Sequence, residues 1–469
     1  MSRYFSILLM MAVMLGVGSA LSAPAQHIEG IWLGTLKVQD VSLRLVFKVT
    51  QVPDSGLQVL LDSPDQGAKD IPVDQVSFEN GKVHFGVSVA QAAFEGTISM
   101  TGDEIEGEWQ QAGMNVPLIL KRTEKAPELA RPQETLATPL PYEEIPITYG
   151  NIEAGVVLAG TLSLPNSGGP FPAVLLVTGS GPQDRDETVF GHKPFLVLAD
   201  YLARLGIAVL RVDDRGTGQS SGNFGSANSK DFADDAAAGL VYLKSRKEID
   251  PKRIGMLGHS EGALIADLIA ARNKDVAFVV SLSGPAIPGG HLIAVQADAI
   301  SRAEGMPDSI IEKNRVLRER MFEIARTEKD SLAAAEKLRA VLAELAPESA
   351  KDSSREIANM QIRQLLTPWF RFFLTYDPAE DIKKITCPYL AVMGEKDLQV
   401  PVAANRAVFE KVFKESGCKN CKIELMPGLN HLMQAANTGS PTEYVGIEET
   451  FNPAALKVIG DWIIVQTKK

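Results

Sequence analysis

The sequence is sparing with the residues that carry most special chemistry: three cysteines, six histidines and four tryptophans in 469 residues. The cysteines are Cys387, Cys418 and Cys421, and only the last two lie close together, as Cys-Lys-Asn-Cys. A zinc site would need two further soft ligands beside them, and a thioredoxin-like redox pair would sit at a helix start in another βαβ setting. A local disulfide in an oxidising compartment is the expectation that remains. Positive charge is also short, with a formal net charge of -11, which excludes a general binder of nucleic acid or acidic lipid. There is no internal repeat, and a single long apolar run, Ile7 to Gly18, stands behind Arg3. That run is too short to span a bilayer and is followed by Ala23-Pro24-Ala25, so it reads as a secretory signal cut after Ala25, or after Ala20. An uncleaved membrane anchor is the competing reading. The mature chain is expected to be periplasmic or secreted, with no stable membrane insertion after cleavage.

What is present is a hydrophobic content of 45%, enough for two domains or for one large domain with insertions. From residue 27 to 123, short alternating stretches such as Leu43 to Val49 and Lys82 to Val87 are broken by turns, which predicts an all-β domain. It opens with Gly30-Ile31-Trp32 and nears its end with Glu108-Trp109, so a small barrel or sandwich with both tryptophans in the core is expected. Residues 124–144 carry prolines at 127, 132, 139 and 141 and predict an extended linker. From residue 145 to 469, strand and helix patterns alternate, as a mostly parallel sheet covered on both faces requires. The alternation lapses over about 286–378, where charged, alanine-rich text such as Ser331 to Leu345 predicts a helical cap over the strand ends.

The chemistry concentrates at Gly258-His259-Ser260-Glu261-Gly262, placed between the strand Arg253 to Leu257 and the helix Gly262 to Ala271. In that setting the serine occupies a tight turn and its hydroxyl projects into a cleft. A serine hydroxyl needs a base to take its proton and an acid to orient that base. The histidines stand at 27, 84, 192, 259, 291 and 431, and with the order serine, acid, histidine only His291 and His431 qualify. His431 lies in a polar turn after the last strand, whereas His291 precedes any good acid and is expected to face solvent or substrate. Asp397, in Gly394-Glu395-Lys396-Asp397, is the expected acid, with Glu395 as alternative. The oxyanion donors are expected from the backbone of Glu261 and from Ser180, or its neighbour Gly181, in the loop Thr178 to Pro182. Asp213 to Ser220 reads as a structural turn with internal Arg and Asp pairing, and Gln183 to Asp186 as a segment that pins the oxyanion loop, with contact to substrate as the alternative. No cofactor or metal is implied.

Thr-Gly-Ser-Gly-Pro-Gln-Asp-Arg-Asp, Asp-Asp-Arg-Gly-Thr-Gly-Gln-Ser, Gly-His-Ser-Glu-Gly, Gly-Glu-Lys-Asp-Leu-Gln-Val-Pro and Leu-Asn-His-Leu together resemble the bacterial α/β-hydrolases of the serine aminopeptidase-like and dienelactone hydrolase-like group, some of which are carboxylesterases. The resemblance runs from about Ile145 to the C-terminus and excludes the β domain. It implies an α/β-hydrolase fold, with Ser260 as nucleophile, Asp397 as acid, His431 as base and oxyanion support from Ser180 and Glu261. It also implies a small-molecule ester substrate with a small to medium acyl group. An aminopeptidase or acyl-peptide hydrolase would use the same triad, and a non-catalytic envelope binding protein could keep the fold. Oligomeric state is left open.

Overall fold

The computed structural model describes residues 27–38, 41–53, 56–66, 68–111, 113–127, 129–344, 352–416, 418 and 420–468. The signal segment expected over 1–25 lies outside the described residues. The chain divides into two compact units, with the boundary after Pro127.

The first unit holds β1 (Gly30–Val38), β2 (Val41–Val52), β3 (Gly56–Ser63), β4 (Ala68–Val73), β5 (Gln75–Glu79), β6 (Lys82–Val87), β7 (Ala92–Ile98), β8 (Glu104–Gln111) and β9 (Met114–Thr123). They form one antiparallel sheet in the order β4-β3-β2-β1-β9-β8-β7-β6-β5. Its two edges, β4 and β5, are separated in sequence by Asp74 alone, and β4 comes against β6 as β3 does against β5, so the sheet is rolled into a barrel-like form rather than split into a sandwich. Leu45, Phe47 and Val49 alternate inward along β2, as the two-residue period of a half-buried strand demands. Both tryptophans are buried; Trp32 donates Nε1–H to the Ile28 carbonyl at 2.7 Å, and the Arg122 guanidinium lies 4.3 Å from the Trp32 ring centre.

The second unit contains an eight-stranded sheet of β10 (Tyr142–Asn151), β11 (Val156–Pro165), β12 (Phe171–Val177), β13 (Ala208–Val212), β14 (Ile249–His259), β15 (Val279–Leu282), β16 (Tyr389–Gly394) and β17 (Cys421–Met426). The order is β10-β11-β13-β12-β14-β15-β16-β17, parallel from β13 through β17 and antiparallel at β10 and β11. On β12, Ala173, Leu175 and Val177 enter the core on one face while Val174 and Leu176 enter that on the other, which is why the strand is apolar throughout. Helices α1 (Pro194–Arg204) and α12 (Pro453–Thr467) cover one face. Helices α2 (Ser229–Ser245), α3 (Glu261–Arg272) and α10 (Val402–Ser416) cover the other. Between β15 and β16 stand α4 (Gly289–Ala303), α5 (Asp308–Thr327), α6 (Ser331–Ala343), α7 (Asp352–Leu365), α8 (Pro368–Thr375) and α9 (Pro378–Ile382), a helical insertion with its own core around Leu338, Leu365 and Phe370. The short α11 (Pro441–Tyr444) precedes α12.

Two expectations need correction. The hairpin β10–β11 starts at Tyr142, inside the segment read as linker, because edge strands with Glu143, Glu144 and Thr148 exposed or half-buried carry little apolar signal. The proline-rich stretch before it is also no free linker. Arg131 donates to the carbonyls of Ile447 and Val445 at 2.7 Å each, the Gln133 side chain bonds the Thr450 and Phe451 backbone, and Glu134 accepts from the Lys193 N–H and the Thr450 hydroxyl. Proline density limits the stretch to a single 3-10 turn at Pro132–Glu134; it does not forbid docking through side chains.

Candidate active site

The turn from β14 into α3 carries Ser260 at φ 54°, a left-handed value that a serine adopts only where its surroundings impose it. The surroundings are backbone. A Cβ on Gly258 would lie 2.0 Å from the Gly262 carbonyl oxygen, and one on Gly262 would lie 2.0 Å from that of Val177. Strand, turn and helix therefore cross at a separation only glycine permits. Gly179 brings the neighbouring loop in as well, since a Cβ there would be 3.3 Å from the Ser260 Cβ.

Asp397 follows β16 and His431 follows β17, and the two parallel strand ends bring their loops together. His431 donates Nδ1–H to Asp397 Oδ2 at 2.8 Å, with both side chains buried. Asp397 Oδ1 in turn accepts the N–H groups of Gln399 and Val400, each at 2.8 Å, so the carboxylate is held in one orientation. The alternative acid, Glu395, is exposed and accepts the Gly428 N–H instead. His291 is exposed on α4.

Ser260, His431, Ser180 and Glu261 line one cavity of about 240 Å³. Glu261 is the first residue of α3, where a backbone N–H has no acceptor within its own helix. Ser180 points its hydroxyl at the Glu261 carboxylate, while Gly181, at φ 94°, is not among the residues that line the cavity. The remaining wall is mostly apolar: Leu292 and Ile293 from α4, Trp369 and Phe373 from α8, and Phe190 from the loop before α1. Trp369 Nε1–H donates to Glu261 Oε1 at 2.7 Å, and the Ser229 hydroxyl donates to the same oxygen at 2.6 Å. Burial raises the Glu261 carboxyl above its ordinary range, against these donors, which favour the charged form.

The loops behind the cavity are cross-braced. Arg185 bonds Asp213, and Asp214 accepts the Thr178 hydroxyl at 2.8 Å and the Gln183 N–H at 2.9 Å. Burial above all pushes the Asp214 carboxyl up to about 8, with those two donors opposing and the charge of Glu261 adding to it. The segment Gln183 to Asp186 is thus tied to the loop that begins at Thr178. The expected pairing inside Asp213 to Ser220 is corrected, however: Arg215 bonds Asp235 on α2, and Asp213 bonds Arg185, because a short turn cannot place its own arginine and aspartate fork to fork. Cys418 and Cys421 are bridged.

Residues 193–435 match the family model described as serine aminopeptidase, S33. The chain belongs to this family. A relative, Esterase EstD of Thermotoga maritima, is 28% identical over 342 residues, covering 73% of this chain and 71% of that protein. An uncharacterized protein of Mycobacterium tuberculosis is 35% identical over 126 residues, 27% of this chain and 41% of its own. Among solved structures, Est1E from Butyrivibrio proteoclasticus, with ferulic acid bound, covers 69% of this chain and 100% of its own at 19% identity and a TM-score of 0.41. The Pyrococcus furiosus esterase Pf2001 covers 73% and 100% at 17% identity and a TM-score of 0.43. The second unit has the α/β-hydrolase fold, preceded by the all-β unit, and the family match spans α1 through the His431 loop.

Several cavity residues escaped the sequence reading. Trp369 had one visible signal, its place in the aromatic cluster Trp-Phe-Arg-Phe-Phe inside an otherwise charged insertion. Glu187 had none. His259 stood in the quoted pentapeptide without a role.

Proposed function

We propose that the protein hydrolyses carboxylic esters through an acyl-enzyme on Ser260. Ser260 Oγ attacks the ester carbonyl carbon while His431 takes its proton, and the tetrahedral oxyanion is met by the backbone N–H groups of Glu261 and Ser180. Collapse breaks the bond to the leaving alcohol, which receives the proton from His431. Water then attacks the acyl-enzyme with His431 again as base, and releases the acid. Asp397 holds the imidazole tautomer that presents a lone pair to Ser260. The observation that carries this reading is the 2.8 Å bond from His431 to a buried Asp397 at the cavity that Ser260 lines.

A mostly apolar cavity of about 240 Å³ suits a small to medium acyl group. Cleavage at a free amino terminus would call for a carboxylate to hold the ammonium group. Of the two buried glutamates lining the cavity, Glu261 is engaged with Ser229 and Trp369, and Glu187 bonds His259 through Oε1 while its Oε2 is buried without a partner among the described residues, so neither offers an exposed carboxylate oxygen to an ammonium group, which favours esters over aminoacyl substrates. A periplasmic or secreted location belongs to the same proposal, supported by the N-terminal sequence pattern and by the Cys418–Cys421 bridge.

The test offers p-nitrophenyl esters of graded acyl length beside aminoacyl and acyl-peptide amides, with fluorophosphonate labelling of the same protein. Ester turnover and labelling that both vanish in Ser260→Ala are expected. Labelling that persists in that variant refutes the nucleophile, and preferential amide cleavage refutes the ester assignment.

A further inference from the structure

His259 immediately precedes Ser260 and is buried. Its Nδ1 lies 2.8 Å from Glu187 Oε1, and its Nε2 lies 3.0 Å from the backbone oxygen of His431. Neither a carboxylate nor a peptide carbonyl has a proton to give, so both ring nitrogens must donate. A neutral ring would set one nitrogen lone pair against an acceptor lone pair inside the protein. This geometry favours the imidazolium form of His259, facing the Glu187 carboxylate. Burial alone would lower the His259 pKa, but the charge and hydrogen bond of Glu187 carry it above the ordinary histidine value.

The pair touches each part of the proposed machinery. Glu187 Oε1 also accepts the Gly179 N–H at 2.7 Å, which fixes the start of the oxyanion loop. Glu187 is held at φ 53° in a turn closed by its own N–H to the Asp184 carbonyl. The His431 carbonyl that His259 grips also accepts the Ser283 hydroxyl at 2.9 Å. The two imidazole rings stand 4.8 Å apart, centre to centre.

Resting on the esterase reading above, we infer that Glu187 and His259 are a positioning pair for the hydrolysis. They lock the oxyanion loop and the His431 main chain onto the nucleophile turn, and their imidazolium places a positive charge 4.8 Å, ring centre to ring centre, from the base. The ionisable groups around this centre are few and come from separate elements. Asp397 faces His431 from the loop after β16 and also acts on His259, and the Tyr444 phenol approaches from α11. Asp214 after β13 feels the charges of both Glu187 and Glu261 on α3. Of these, only His259 adds positive charge beside the base.

The test is the pH profile of ester hydrolysis in Glu187→Gln and His259→Gln beside the native chain. Without Glu187 the buried ring loses its reason to be charged, and without His259 the cation is gone, so both variants remove the positive charge beside the base. The acid limb of kcat/KM should move to higher pH by about half a unit or more. With the loops released, kcat should fall roughly 10²-fold and KM change much less. An acid limb that stays in place overturns the electrostatic part, and kcat within about twofold of the native value overturns the positioning part. Should either variant fail to fold, ¹⁵N NMR of histidine-labelled native protein decides: one imidazole doubly protonated at about pH 8 is expected, and its absence overturns the inference. Ser260→Ala separates the two readings. Turnover surviving there removes the esterase mechanism, whereas loss there together with native profiles in Glu187→Gln and His259→Gln removes only the pair.

Discussion

The indole N–H of Trp369, on the helical insertion, donates at 2.7 Å to the carboxylate of Glu261, the residue after the proposed nucleophile. One side chain thereby joins the wall of the cavity to the turn that presents Ser260. In Trp369→Phe the ring can still stack on Phe373, 5.3 Å away, but a buried carboxylate loses a donor at a cost of about 1–3 kcal/mol. A lower Tm is expected, together with a rise in KM that grows with acyl length. KM values unchanged across an ester series would show that the indole wall does not shape acyl binding.

Asp397→Asn keeps an oxygen for the Gln399 and Val400 N–H groups but turns an amide N–H toward His431 Nδ1. Two donors then face each other and the imidazole adopts the wrong tautomer. A fall in kcat of roughly 10⁴-fold with a near-native Tm is expected. Steady-state kinetics and a melting curve check both halves; near-normal turnover would reassign the acid.

Asp267 lies wholly buried on α3, and burial raises its carboxyl well above the ordinary value, with the phenol of Tyr389 beside it. A carboxyl whose folded-state pKa exceeds its unfolded one binds more protons in the native chain. Stability from this group is present at low pH and is lost as pH rises above about 4. Asp267→Asn, which cannot ionise, should reduce the fall in Tm between about pH 5 and pH 8. An identical pH dependence in the variant would show that the native group ionises without penalty.

Arg131 anchors the proline-rich stretch by two bonds to backbone carbonyls more than 300 residues away, with sequence separations of 316 and 314. Arg131→Ala should lower stability by about 2 kcal/mol and expose the segment before β10 to limited proteolysis. Urea unfolding and digestion time courses measure these effects. Resistance equal to that of the native chain would mean that Gln133 and Glu134 hold the segment without it.

By itself the sequence determined the alternation of strands and helices, the position of Ser260 on a turn between them, and the short choice of histidines and carboxylates able to meet it. These are local matters: side-chain period, glycine at a crossing, and the residues that follow each strand end. Only the tertiary structure decided that β10 and β11 form an edge hairpin, that Arg131 docks its segment, and that Glu187 is bound to His259 and Trp369 to Glu261. Those partners lie 72 and 108 residues apart in the chain. A buried polar group must find a partner, but nothing in its neighbouring residues specifies which distant loop supplies it.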